Sequence, residues 1–574
     1  MHEIVTLQLG RQSNYVATHF WNAQESYFTY GDDGTSPVNH DIHWRAGIGA
    51  DGSETYLPRT VVYDRKGGFG SLRKVNVLYD TQEPDDTQQH SALDLPAAVA
   101  NSLWGGPAVV QRATPIQPSA YTQSLDSGIA PNEPLNTSTV RYWSDYNRVY
   151  YHPRSMVEVG DEPEITPTAA SANGGSSGAG SGSGSGAVTA PREYSWADGE
   201  DMFADLDREH DILDRDLRPF VEEADQLQGL QVIASVDDSW GGFASRYLER
   251  MRDEYGKSTI WLWALQQPVS RLPREKRISR LANKARSLVD AYAQASLVIP
   301  LSVPSLPLKS VLSSTFDPSS TWHTSALLAT AIETAMLPAR LRASHNGNNL
   351  AYLTDLLNAT GKQTVANLQM SVVQPWKEVV KDARARREAA GWDEDDYGDS
   401  KNNDSGDLQL PIDFAPKDES AVVSSRAARL HRKKPRMFGQ AVVCRDGEQK
   451  EEDFANDEDE ETGLDRRAMM QRRFALKPVS QRYKVDLGFP LLDSFPYIYQ
   501  QTTNSTASIP VTTALATDRA VSDRLQSLRT TVTVGAAWAI GVEDREALSN
   551  DLAGMADAYH DGWSSGSDNG DDEE

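Results

Sequence analysis

The apolar positions of this chain follow two rhythms, short continuous runs and a helical repeat. Ile4, Val5, Leu7 and Leu9 make a nearly unbroken apolar run, the pattern of a strand buried on both faces. Gly10 marks a turn, and Ser13 or Asn14 can cap a following helix that carries Phe20 and Trp21. Residues 1 to about 30 therefore predict a β-loop-α unit. Thr60-Val61-Val62-Tyr63 predicts a second strand, with a loop from Asp64 to Gly70. Ile212, Leu213, Leu217, Phe220, Val221, Ala224 and Leu227 recur at helical spacing, predicting a helix over Asp211–Gln228 that Gly229 ends. Leu230–Val236 and Ser258–Leu265 predict buried strands, with a loop at Asp237–Gly242 and a helix at Phe243–Tyr255 between them. A long helix follows over Ile278–Ala295, with Ile278, Leu281, Ala285, Leu288, Val289 and Tyr292 inward. This alternation predicts a doubly wound parallel α/β sheet.

Further on, Ser325–Leu337 predicts a helix stopped by Pro338, and Leu350–Asn358 and Gln374–Ala390 predict two more. Leu487–Pro490 and Phe495–Tyr497 read as a packed strand and loop, and Val532–Ile540 as a last strand. Leu548, Leu552, Met555 and Tyr559 define a final amphipathic helix over Asp544–Tyr559. The expected organisation is an N-terminal domain at 1–340, a second α/β domain with C-terminal helices at 341–560, and an acidic tail at 561–574. Residues 80–140 form a polar surface excursion, and the Gly/Ser-rich stretch 161–192 a flexible linker. Segments 392–420 and 445–466 are acidic and poor in aromatics, which predicts disordered insertions.

The net charge of −26 over 574 residues argues against a general nucleic-acid binder, so no direct nucleic-acid contact is expected. The single cysteine, Cys444, excludes an internal disulfide framework and fits a reducing compartment. No apolar run is long enough to span a bilayer. The start of the chain lacks the basic region, apolar core and cleavage site of a signal peptide. Glu3, already in a core strand, argues against a transit peptide. The expected location is the cytosol or the cytosolic face of an organelle.

The opening segment resembles that of tubulin, where Q-x-G-Q-C-G-N-Q-I-G runs into F-W. Gln8, Gly10, Asn14, Phe20 and Trp21 match without a gap, while Arg11-Gln12-Ser13 replaces Gln-Cys-Gly. Glu222–Gln231 resembles the C-D-x-L-Q-G-F-Q stretch that leads into the tubulin phosphate loop G-G-G-T-G-S-G. The helix beyond that loop ends Arg252-Asp253-Glu254-Tyr255 where tubulins have R-E-E-Y. Together with the Gly-Ser insertion, Ser325–Leu328 and Glu333–Pro338, these segments resemble the Misato family. Its fungal members are tubulin-like proteins of mitochondrial DNA inheritance. The likeness covers residues 1 to about 340 in patches. It implies a tubulin-like α/β fold.

A tubulin-type site needs backbone N–H groups around phosphates, a Mg²⁺ environment and a clamp for the base. The resemblance assigns a vestigial nucleotide site to Gly10, Arg11, Gln12, Ser13, Asn14, Asp64 and Asn283. Arg11 could pair with a phosphate or with a surface carboxylate. Asp64 matches the aspartate of a D-x-E-P-G-T loop, but Lys66 replaces its glutamate. The central loop, residues 237–245, has lost its glycine run: Asp237 and Asp238 repel phosphate and Trp240 fills space. Asn283-Lys284-Ala285-Arg286 matches the base-contacting N-E-A-L run only at Asn283 and Ala285, and no G-x-x-N-x-D hydrolysis loop is recognisable. No catalytic residue, metal or cofactor is expected, with residual GTP or GDP left open.

Other motifs carry less. Gly256-Lys257-Ser258-Thr259 ends like a P-loop, but Met251 stands where its first glycine belongs, so a helix-end turn fits better. His40 and His43 have metal-like spacing without further ligands nearby in sequence. The basic run 426–436 suits anionic lipid, a phosphorylated partner or the neighbouring acidic stretches. The resemblance implies a non-catalytic protein of mitochondrial distribution and mitochondrial DNA inheritance, working on the mitochondrial surface and in the cytoplasm. Its expected partners are mitochondrial surface proteins and cytosolic chaperonin or tubulin machinery. An active filament-forming GTPase and a cytosolic tubulin-assembly factor are the alternatives. Nucleotide-dependent sedimentation separates the first, and co-purification with tubulin but not mitochondria the second.

Overall fold

In the computed structural model, six parallel strands lie in the order β5-β4-β1-β6-β7-β8. The structure describes residues 3–29, 36–49, 52, 54–74, 78, 116–129, 134–160, 195–270, 272–304, 311–342, 348–358, 361–374, 378–382, 385, 410–416, 437–445, 479–500, 502, 506–535 and 540–559. Strand β1 is Glu3–Leu9, followed by helix α1 at Arg11–Glu25. A hairpin of β2 (Trp44–Ile48) and β3 (Glu54–Pro58) precedes β4, Thr60–Arg65. Helix α2 is Ala120–Ser127, and β5 is Met156–Val159. Helix α3 (Trp196–His210) and the short α4 (Arg218–Glu222) lead to β6, Leu227–Ser235. Then come α5 (Ser239–Glu254), β7 (Thr259–Gln266), α6 (Arg274–Gln294) and β8 (Leu297–Ser302).

Alternate residues of these strands feed two cores, because successive side chains point to opposite faces of a sheet. Val5, Leu7, Leu9, Val232, Ala234, Ile260 and Leu262 join the core beneath α3, α5 and α6. Ile4, Ile233, Trp261, Trp263 and Leu265 join the core on the other face. Helix α7 (Thr321–Met336) crosses that second face and is buried along nearly its whole length. A helix apolar on all sides belongs in the middle of a molecule, and α7 packs between α1 and a second sheet. Helix α8 is Leu350–Leu357. The second sheet has the order β10-β9-β15-β11-β12. It comprises β9 (Asn367–Val372), β10 (Ile412–Asp413), β11 (Met437–Arg445), β12 (Val479–Val485) and β15 (Val511–Asp518). The minor strands β13 (Phe489–Pro490) and β14 (Ser508–Ile509) pair beside it. Helices α9 (Ala520–Thr530) and α10 (Val542–Asp557) return to α6 on the far face of the first sheet.

One buried charge cluster fastens these layers. Glu333 of α7 has no exposed side-chain surface, nor have Arg340 and Arg445. Its carboxylate accepts from Arg340 Nη2 at 2.9 Å, Tyr27 Oη at 3.1 Å and Gln24 Nε2 at 3.1 Å, and from Arg445 Nη1. Arg445, at the end of β11, also donates to the carbonyls of Leu487 and Gly488, at 2.8 and 2.9 Å. Burial pushes the Glu333 carboxyl up, but Arg445 and Arg340 together outweigh it and leave it below its ordinary value.

The structure departs from the sequence-based expectations at five places. The helix expected over Asp211–Gln228 is a π-turn at Leu213–Leu217 and the short α4, because the chain has already entered β6 at Leu227. Gly229 lies inside that strand, where a Cβ would sit 2.6 Å from the Thr259 carbonyl oxygen. The expected loop Asp237–Gly242 is largely helix, since Asp238 caps α5 and the helix starts at Ser239, four residues before its apolar pattern begins at Phe243. Val532–Ile540 does not open as a strand: Thr531–Gly535 is a π-turn continuing α9, with Val532 buried and Val534 exposed. The acidic segments are not wholly structureless, because Leu410, Ile412 and Phe414 are buried around β10 and Arg445 ends β11. The excursion at 80–140 includes helix α2, whose Tyr121 donates to Asp493 at 2.8 Å. The Gly/Ser-rich stretch, the basic run, most of the acidic insertions and the tail lie outside the described residues.

Replacing Arg445 by Met leaves Glu333 buried with one cation fewer, and should cost about 3–5 kcal/mol of stability, measured as a fall in the denaturant midpoint. Because the Glu333 carboxyl lies below its ordinary value of 4.5, its contribution is complete above that pH and lost as pH falls through the folded value. The variant should therefore lose less stability than wild type on acidification. A shift of under about 1 kcal/mol at neutral pH, the range of an exposed pair, would contradict this role.

Candidate functional site

Ligands of open α/β sheets bind outside the carboxyl ends of the strands, where successive connections leave in opposite directions. Here the chain passes from β1 to β4 and β5 on one side, then to β6 and β7 on the other, which places that crevice between β1 and β6. Two helices begin there. Helix α1 follows Gly10, whose φ of 88° and ψ of 169° lie in a region open essentially to glycine. Helix α5 follows Asp238.

The crevice is filled by the chain itself. A Cβ on Gly10 would fall 2.5 Å from Cδ1 and Nε1 of Trp240, so the indole lies directly on the glycine. Trp240 is buried and meets Phe243 edge to face at 5.5 Å. The first turn of α5, a natural anion site, is taken by Asp238, whose Oδ1 accepts from Trp240 N at 2.9 Å. Its Oδ2 accepts from Ser235 Oγ at 2.9 Å.

The residues singled out from the sequence divide into two groups. Ser13 donates to the Ile233 carbonyl at 2.5 Å, tying α1 to β6. Asn14 donates to the Tyr63 carbonyl at 3.1 Å and to Asp64 Oδ2 at 2.8 Å. Asp64 is fully buried and also accepts from Trp143 Nε1 at 2.9 Å and from Arg65 N at 2.8 Å. Gly10, Ser13, Asn14 and Asp64 thus form one hydrogen-bonded wall. Arg11 lies with its guanidinium 5.6 Å from the centre of the Tyr15 ring on its own helix. Gln12 Oε1 is buried without a partner among the described residues. Asn283 sits apart, on α6, where its amide donates to the Asp237 carbonyl at 3.2 Å. It braces the central loop from behind. Sequence reasoning did not foresee Trp143 or Arg65. Arg65 Nη2 donates to Ser239 Oγ at 3.1 Å, linking β4 to α5. No local pattern marks either, since their partners lie 79 and 174 residues away.

The other motifs are structural. Gly256 follows α5 in a turn, its carbonyl held by Arg252 Nη1 at 2.9 Å. His43 is buried edge to face against Phe20 and Trp21, and burial holds its imidazole well below the ordinary value, hence neutral. His40 stacks on Phe28 at 4.0 Å. Among the described residues no three His, Cys, Asp or Glu side chains are placed to hold a metal ion. Cys444 is buried in β11.

These residues do not fit a nucleoside triphosphate. Phosphates over Gly10 would have to displace the Trp240 indole and meet the Asp238 carboxylate at the head of α5. Each like-charge contact at 4 Å costs about 4 kcal/mol at an effective dielectric of about 20, and the cap of α5 already uses the N–H a phosphate would need.

The architecture and the crevice define a tubulin-like protein whose nucleotide crevice is filled from within. The comparisons agree with that class. Residues 132–173 and 187–341 match a family described as Tubulin domain, and residues 2–127 match the Misato Segment II tubulin-like domain. The chain is 48% identical to Protein dml-1 of Neurospora crassa and 42% identical to Protein DML1 of Gibberella zeae, each covering 100% of both chains. It is 28% identical to Protein DML1 of Yarrowia lipolytica, over 64% of this chain and 71% of that one. The chain belongs to the Misato/DML1 family of tubulin-like proteins.

The contact between Gly10 and Trp240 is open to a double-mutant cycle. Gly10→Ala should cost about 2 kcal/mol or more, from backbone strain and the clash, and Trp240→Ala about 3–5 kcal/mol. Together they should cost less than the sum by about 1 kcal/mol or more, because removing the indole removes the clash. Strict additivity in urea unfolding would show that the two do not touch.

Proposed function

We propose that this protein is a non-catalytic, tubulin-like scaffold acting in mitochondrial distribution and mitochondrial DNA inheritance. The observation that carries the non-catalytic part is the seating of Trp240 on Gly10, with Asp238 capping α5. Phosphoryl transfer relies on positioned donors and cations around the phosphates, and here the corresponding positions hold an indole and carboxylates. The mitochondrial part rests on the resemblance to the Misato family. No helix among the described residues is long and apolar enough to cross a membrane. We assign its action to the cytosolic face of the mitochondrion, through proteins of that surface, with cytosolic chaperonin or tubulin machinery as further partners.

The test is replacement in a fungal cell that depends on this gene. Depletion should leave mitochondria unevenly partitioned and mitochondrial DNA lost from a fraction of progeny. Arg11→Glu, which would abolish phosphate binding at the first loop, should rescue as well as wild type at equal protein level. Normal mitochondria on depletion would contradict the mitochondrial role, and failure of a stable Arg11→Glu protein to rescue would contradict the non-catalytic one.

A further inference from the structure

Where α1 meets the chain around the β2–β3 hairpin, buried hydrogen-bond donors gather without acceptors. Arg340, just beyond α7, donates from Nε to the Met336 carbonyl and from Nη2 to the carbonyl and carboxylate of Glu333. Its Nη1 meets no acceptor among the described residues. The Arg340 guanidinium lies 5.5 Å from the centre of the Phe20 ring, and the His43 ring lies 5.5 Å from that same ring. Neither nitrogen of His43 has a partner among the described residues. Trp21, 5.6 Å from His43 ring to ring, carries an unmet Nε1, and so does Trp44, 5.9 Å from Trp21. Arg59 joins them from between β3 and β4. Its main-chain N donates to the His43 carbonyl at 2.8 Å, while its Nε and Nη1 find no acceptor among the described residues. None of these five residues is more than 8% exposed.

Two features decide what answers these groups. The first is that they are donors: arginine and tryptophan side chains carry no acceptor, and a neutral His43 has one. Water donates as well as accepts, so it would bring protons of its own that need partners. The second is charge. The buried charged groups here are Arg59, Arg340 and Arg445 against Glu3 and Glu333, which leaves one cation in excess. Glu333 is engaged by both Arg340 and Arg445, and Glu3 Oε2 accepts from Gln226 N at 3.0 Å. Of the other carboxylates that act on Arg59, Glu223 pairs with Arg45 at 3.0 Å, and Asp41 acts most weakly. Burial lowers the Arg59 pKa in spite of them. We propose that a small monovalent anion of chloride size binds here, held by Arg340 Nη1, Arg59 and the N–H groups of His43 and Trp21. The anion offsets the excess charge and gives the buried donors a common acceptor. It fastens α1, the end of α7 and the chain that enters β2 and β4 to one point.

The full-length protein is dialysed into sodium gluconate, whose anion is too large for the site. Its melting temperature is then followed as chloride replaces gluconate at constant ionic strength. The midpoint should rise with the logarithm of chloride concentration, as for any ligand that binds only the folded state. Bromide should act in the same way and, in crystals, give an anomalous peak beside Arg340 and His43. His43→Phe keeps an aromatic ring and removes the imidazole N–H, and Arg59→Met removes a cation. Each should weaken the anion's binding about tenfold or more, the effect of losing one charge-assisted or buried hydrogen bond. Equal midpoints in chloride and gluconate would overturn the proposal and leave the donors to water. Undiminished chloride-specific stabilisation in both folded variants would overturn it as well, by placing the ion elsewhere. If neither variant folds, the bromide peak decides: a peak at Arg340 and His43 supports the site, and none there contradicts it.

Discussion

A charge taken out of water must find its partner inside the protein, and that requirement organises this molecule. Glu333 shows it most fully. Its carboxylate lies at the centre of the structure, on a helix buried along nearly its whole length, and is answered by Arg340 from just beyond the same helix and Arg445 from the second sheet. Tyr27 and Gln24 bring the end of α1 to the same point. Removing one partner from a set like this is far more costly than its net contribution suggests, because the remaining charge is stranded. The cluster therefore specifies one arrangement of α1, α7 and β11, and so fixes how the second sheet sits over the first.

The same rule explains the crevice. In a nucleotide-binding fold, helix N-termini and buried polar groups at the carboxyl edge are answered by phosphates. Here the chain supplies the answers. Asp238 caps α5, Asp64 is held by Asn14 and Trp143, and the indole of Trp240 fills the space over Gly10. The scaffold persists because α1 remains anchored through Ser13 and Asn14, whose partners are protein atoms. A tubulin-like architecture is thus kept, with the protein's own side chains occupying the crevice.

Much of this was legible in the sequence. The apolar runs that became β1, β4, β6 and β7 are buried on both faces, so they read as strands, whereas β8 at Leu297–Ser302 was not singled out. Asp237, Asp238 and Trp240 could be seen to oppose a phosphate, because charge and bulk are properties of the residues themselves. What stayed hidden depends on distance along the chain. Gly229 looked like a helix end and is a strand residue pressed against Thr259. Trp143 seals Asp64 from a short 3-10 turn with no local signature. Asn283 matched a base-contacting motif by spacing, yet its position on α6 turns it to the main chain of Asp237. Arg445 stood at the margin of an acidic stretch, and only the pairing of β11 with β15 and β12 brings it to Glu333.

The central claim is that the nucleotide crevice is closed by the protein's own side chains. Titration calorimetry of the purified full-length protein with GTP and GDP, in Mg²⁺ and in EDTA, tests it most directly. The account predicts no heat beyond dilution for either nucleotide in either buffer. Micromolar or tighter binding, strengthened by Mg²⁺, would mean that Trp240 and Asp238 move aside for phosphate and would contradict it.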